Sequence, residues 1–131
     1  MVLISTNPAT SKEIKSYDEH SVSEINDILY KTKSAQQEWS SLELDFRLEC
    51  LNQISGILLD KKREYASIMA DEMGKPIDQG VGEIEKCAWL CDYYKENATE
   101  FLSDKLIITQ YHKSLVTIQP IGLILGIMPW N

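Results

Sequence analysis

An unbroken apolar run, Ile121-Gly-Leu-Ile-Leu-Gly-Ile-Met128, sets the hardest condition on the fold of this chain, and Pro129-Trp130-Asn131 follows it at once. A strand that is apolar on both faces has to be buried on both, as in a parallel α/β sheet. Parallel neighbours need crossover connections of about a dozen residues or more. No residues within the 131 follow the run to supply them. The run therefore predicts a central strand over about 122–128 whose sheet lies in a continuation beyond residue 131. The competing expectation is a small α+β domain in which this strand pairs with N-terminal strands. Extended to Trp130, the run remains well short of the about 20 residues that cross a bilayer.

The segments before the run alternate between two periods. Val2 to Ile4 and Lys12 to Tyr17, separated by Asn7-Pro8 and Thr10-Ser11, predict a small hairpin. Ser21-Val-Ser-Glu24 is a capping box: the serine hydroxyl accepts from the third helical N–H and the glutamate reaches back to the serine N–H. Ile25, Ile28, Leu29, Ala35 and Trp39 follow at helical spacing, predicting a helix over about 22–38 that Ser40-Ser41 ends. A second helix is expected over about 42–73, striped by Leu44, Leu48, Leu51, Ile54, Leu58, Tyr65, Ile68 and Met69, with a bend at Gly56. Gly74 is its expected left-handed stop. Pro76 opens a third helix over about 76–99, in whose first turn its missing N–H costs nothing. Leu106 to Thr109 and Leu115 to Ile118 then read as a hairpin, an arm over about 105–119.

Composition excludes several function classes. A length of 131 residues with 44% hydrophobic and 25% charged residues suits one globular domain. The net charge of −7 repels phosphate backbones and anionic membrane surfaces, so neither nucleic acid nor membrane is an expected partner. The N-terminus has no basic stretch, and the three cysteines show no disulfide-scaffold spacing; a cytoplasmic location is expected.

Few motifs carry chemistry on spacing alone. Cys87 and Cys91, four apart on one helix, have no second pair of Cys or His to complete a zinc site, and core packing is the expectation for them and for Cys50. No metal is therefore expected. Glycine-rich phosphate loops are absent. Glu72-Met-Gly-Lys75 reads as a helix end with ordinary charges. Trp89, Tyr93 and Tyr94 read as core and rim of an amphipathic helix. The remaining candidate is Met128-Pro129-Trp130-Asn131, which places an aromatic and a side-chain amide at the carboxyl end of a strand, where α/β sheets bind ligands. An amide there can donate to a developing oxyanion.

Taken in order, Asn7-Pro8-Ala9-Thr10, Trp39, Arg47, Glu72-Met73-Gly74-Lys75-Pro76, Glu83, Tyr93-Tyr94, Pro120-Ile121-Gly122 and Ile127-Met128-Pro129-Trp130-Asn131 resemble the N-terminal portion of the aldehyde dehydrogenase family. Gly74 to Gln79 and Leu90 to Tyr94 are most similar to its bacterial succinate-semialdehyde branch. The resemblance implies an α/β fold: the start of a Rossmann-like nucleotide-binding domain, with a helical layer, an oligomerising β-arm and the first central strand. It implies NAD or NADP as cofactor, a small aldehyde as substrate and a homo-oligomer formed through the 105–119 arm. By the same resemblance, Ile127, Met128, Pro129, Trp130 and Asn131 line the cofactor cleft, and Asn131 donates its amide to the oxyanion formed when a cysteine thiolate attacks the aldehyde. The family's nucleophilic Cys, water-activating Glu and glycine-rich cofactor segment fall beyond position 131. The lone chain is therefore expected to be an inactive fragment, with a non-catalytic β-arm interaction module or one half of a split dehydrogenase as the alternatives.

Overall fold

The computed structural model describes residues 2–128. The chain opens with strand β1, Val2–Thr6, paired antiparallel to β2, Glu13–Asp18. Asn7 makes the turn between them, its side-chain oxygen accepting from the backbone N–H of Ala9 and Thr10 at 3.0 and 3.1 Å. That is the local bond pattern by which asparagine replaces a backbone turn.

Helix α1 runs over Val22–Ser41, and both bonds of its capping box are present. It is three residues longer than the sequence predicts. Ser40 and Ser41 bond their hydroxyls back to the carbonyls of Gln37 and Glu38 instead of breaking the helix. No residue of α1 is buried: Ile25, Ile28 and Leu29 lie exposed along its apolar stripe.

The long helix expected over 42–73 is two helices, α2 at Leu44–Asp60 and α3 at Lys62–Met73. The break falls at Lys61 and not at Gly56, through which α2 continues as helix. Gly74, at φ 74°, closes α3 in the left-handed conformation. Pro76 caps α4, Ile77–Phe101, from one position ahead of the first helical residue. Helix α4 packs against both α2 and α3. It comes close to α3 at Gly80, which faces the fully buried Ala66. Leu48, Ala66, Ile84, Ala88 and Ala98 form the core of this three-helix layer.

The arm is shorter in regular pairing than its sequence suggests. Strand β3, Lys105–Leu106, pairs antiparallel with β4, Leu115–Val116, and Ile107 N–H adds one further bond to the Ser114 carbonyl at 2.9 Å. Residues 117–128 carry no strand pairing among the described residues, including the segment 122–128 expected as a central strand. The physical reason is that a strand is defined by its neighbour, and the sheets among the described residues are two separate hairpins. No described helix is long and apolar enough to cross a membrane.

The accessible surface is 10856 Å². A self-contained monomer of 15.0 kDa exposes about 7,000 Å² by the usual mass scaling. Apolar groups contribute to the difference: α1, the arm and residues 121–128 all present large hydrophobic side chains to solvent. The helical layer has a core, but the chain as a whole leaves uncovered the faces that its hydrophobic pattern prepares for burial.

Candidate functional site

Pro120 ends the arm, and Gly122 turns the chain at φ 107°, a conformation that L side chains rarely adopt. From there the chain advances to Ile127 and Met128, which are 87% and 83% exposed. These two are the described members of the predicted cofactor cleft. Pro129, Trp130 and the catalytic candidate Asn131 lie outside the described residues. Both are apolar, one branched and one a thioether, and neither bears a charge. Such side chains offer dispersion contact to a flat ring system.

The motifs that carry the family resemblance do meet elsewhere. Ser5 Oγ donates to Glu72 Oε1 and Asn7 Nδ2 donates to Asp71 Oδ1, each at 3.3 Å. The Pro8 ring sits 3.4 Å from where a β-carbon on Gly74 would be. Lys75 Nζ pairs with Glu83. The Asn7-Pro8 turn and the Glu72-Met-Gly-Lys-Pro76 helix end thus form one junction that seats the N-terminal hairpin on α3. The role of these residues here is architectural, in line with the helix-end reading of the second motif. Nothing local in the sequence announces the pairing of Ser5 and Asn7 with the end of α3, because the partners stand more than sixty positions apart.

Trp39, Arg47 and Tyr94 also come together, lining a hollow between the end of α1, α2 and α4 with Leu44, Leu48, Leu51, Ala98 and Leu102. Arg47 Nε is buried there without a hydrogen-bond partner among the described residues. On α4, the rings of Trp89 and Tyr93 stand 5.7 Å apart and Tyr93 meets Tyr94 edge-on, all three exposed at the rim.

The cysteines depart from the core reading. Cys87 is exposed, whereas Cys50 and Cys91 are half-buried; all three are free. Burial, followed by the charge of Asp92 and then Cys87, raises the Cys91 pKa. A thiol held neutral in this way is not an activated nucleophile, and no cysteine is placed beside Ile127 or Met128 by any contact described.

The hairpin, the helical layer and the arm reproduce, as a fold, the corresponding part of larger nucleotide-dependent enzymes. Superposed on the structure of Gox0499, determined to study its cofactor and substrate selection, the chain gives a TM-score of 0.88 at 24% identity, covering 92% of this chain and 27% of that one. With the succinic semialdehyde dehydrogenase of Streptococcus pyogenes, solved with NADP+, the TM-score is 0.81 at 27% identity, over 87% of this chain and 25% of the other.

The sequence narrows this class further. The family model of the aldehyde dehydrogenases matches residues 2–131, and the chain belongs to the aldehyde dehydrogenase family. It is 35% identical over its whole length to a protein named as probable NADP(+) succinate-semialdehyde dehydrogenase in Synechocystis sp., of which it covers 29%. It is 33% identical over 98% of its length to the NAD(P)+ succinate semialdehyde dehydrogenase Sad of Escherichia coli K12, of which it covers 28%. The chain thus spans less than a third of the length of the curated relatives it matches.

Proposed function

We propose that this chain is the N-terminal portion of an NAD(P)-dependent aldehyde dehydrogenase that oxidises a small semialdehyde, succinate semialdehyde, to the carboxylic acid. The observation that carries the reading is the end-to-end match to two succinate-semialdehyde dehydrogenases at 35% and 33% identity. The surface of 10856 Å², about one and a half times that expected for the mass, supports the reading that the working unit is larger than these 131 residues.

The cofactor supplies the hydride acceptor when bound. Ile127 and Met128 are apolar, uncharged and exposed, which suits them to the wall of its cleft together with Pro129 and Trp130. Asn131 is assigned the role of amide donor to the oxyanion of the reacting aldehyde; one such donor is worth about 100- to 1000-fold in rate. The arm over 105–119 is assigned to subunit pairing. Its exposed edge, with Ile108 97% exposed, favours strand addition to a second chain. Three free cysteines suit a reducing compartment, the cytoplasm.

The test has two arms. The purified chain, given succinate semialdehyde with NAD or NADP, is expected to produce no absorbance of reduced cofactor; turnover would overturn the fragment reading. DNA downstream of codon 131 is expected to encode the nucleophilic Cys and the base Glu in the same or a neighbouring frame. Their absence would overturn the dehydrogenase reading for the working unit and leave the arm-mediated interaction module.

A further inference from the structure

Helix α4 presents two thiols, Cys87 and Cys91, one turn apart on a single face. Residues four apart on a helix hold their Cβ atoms about 5–6 Å apart. Two sulfurs on such β-carbons can both reach a single atom placed between them without unwinding the helix. Cys87 is exposed and Cys91 half-buried, so the pair is open to solvent from one side.

The donor set limits what can be held. Among the described residues no group of three or more His, Cys, Asp or Glu side chains could hold a metal ion. A structural zinc ion needs four ligands. The pair therefore suits a soft centre that two thiols satisfy. Trivalent arsenic carrying one organic group is such a centre, since its third valence is already bonded to carbon. A shallow hollow lined by Glu83, Lys86, Cys87, Trp89 and Leu90 includes the first of the two thiols and offers the indole and the leucine to an aryl substituent.

We propose that Cys87 and Cys91 form a dithiol site for monosubstituted trivalent arsenicals. The step is a condensation. The hydrated arsenical has two As–OH groups, and each thiol displaces one of them. Two As–O bonds break, two As–S bonds form, and each thiol proton departs with a hydroxyl as water. Arsenic stays trivalent and no electrons are transferred. The site is independent of the dehydrogenase reading.

The experiment titrates phenylarsine oxide into the 131-residue chain and counts the remaining thiols with a disulfide reagent. One arsenical per chain is expected, with two of the three thiols lost and both recovered on adding an excess of ethanedithiol. Cys87→Ser and Cys91→Ser are each expected to weaken binding by about 100-fold or more, since removing one tether forfeits the effective concentration of the second bond. Cys50→Ser is expected to bind as the parent does. Circular dichroism of each variant reports that α4 is intact. Loss of binding in Cys50→Ser, or retention of full affinity in either α4 variant, would overturn the proposal.

Discussion

At Gly80 α4 lies close against α3, and replacing it with alanine sets two effects of opposite sign against each other. Alanine is favoured over glycine inside a helix by about 0.8–1.0 kcal/mol. A β-carbon at position 80, however, would lie 3.0 Å from Ala66 Cβ and 3.1 Å from Ala66 Cα. Carbon atoms pack best at about 3.5–4.0 Å. The shortfall is about half an ångström, and it is against the main chain of α3 as well as a methyl group. Ala66 is fully buried, so the two helices must separate to make room. Overpacking of this kind costs about 1–3 kcal/mol. Gly80→Ala is thus expected to range from neutral to about 2 kcal/mol destabilising. Gly82, on the same helix, has nothing within 4 Å of its would-be β-carbon. Gly82→Ala therefore gains the propensity term alone, about 1 kcal/mol. The assay is urea unfolding followed by helical circular dichroism, comparing midpoints at equal slope. A Gly80→Ala midpoint raised as far as that of Gly82→Ala would refute the close-packing argument.

Gly74→Ala places an L side chain at φ 74° beside the Pro8 ring and is expected to cost about 1–2 kcal/mol, read from the same urea transition. Ser21→Ala removes the N-cap of α1 and is expected to cost that helix about 1 kcal/mol, read as lost helical signal. The pKa of Glu24 is lowered, first by its bond from the Ser21 backbone N–H and then by the serine hydroxyl. A depressed carboxylate contributes stability that is present above its unfolded pKa and is lost as pH falls through the folded one. The protection of the first-turn amide protons of α1, taken relative to their intrinsic exchange rates, should therefore fall as pH drops below the ordinary glutamate range, and Glu24→Gln should flatten that dependence. A pH-independent first turn in the parent chain would refute the assignment.

What could be read from the sequence was what local chemistry decides. Ser21 and Glu24 cap α1 because both partners lie within four residues. Gly74 ends α3 because only glycine turns left-handed without cost, and the stripe from Leu44 to Met69 implies helix wherever it is cut. The place of the cut was not legible: Gly56 is the weaker helix former, yet Lys61 holds the break, where φ −100° and ψ 12° sit between helix and turn. The contact of Gly80 with Ala66 was invisible for a related reason, since two small residues add nothing to a hydrophobic period. The apolar pattern predicts a strand over 122–128, but pairing depends on neighbours that pattern cannot supply. Of the candidate site, Ile127 and Met128 lie together at the end of the described chain, and Pro129, Trp130 and Asn131 fall outside it. The habits of its residue type place Cys87 in the core, whereas its helix turns it outward.

The junction of the N-terminal hairpin with α3 has a consequence for synthesis. Ser5 and Glu72 are 67 positions apart. A ribosome adding about 5–20 residues per second needs about 3 to 13 s to extend from one to the other. For that interval β1 and β2 have emerged while their seat has not, and a two-stranded hairpin alone in water is marginal. The hairpin is thus made before its seat and settles after it, and a nascent chain stalled before Glu72 carries these strands loose, with apolar side chains for chaperones to shield.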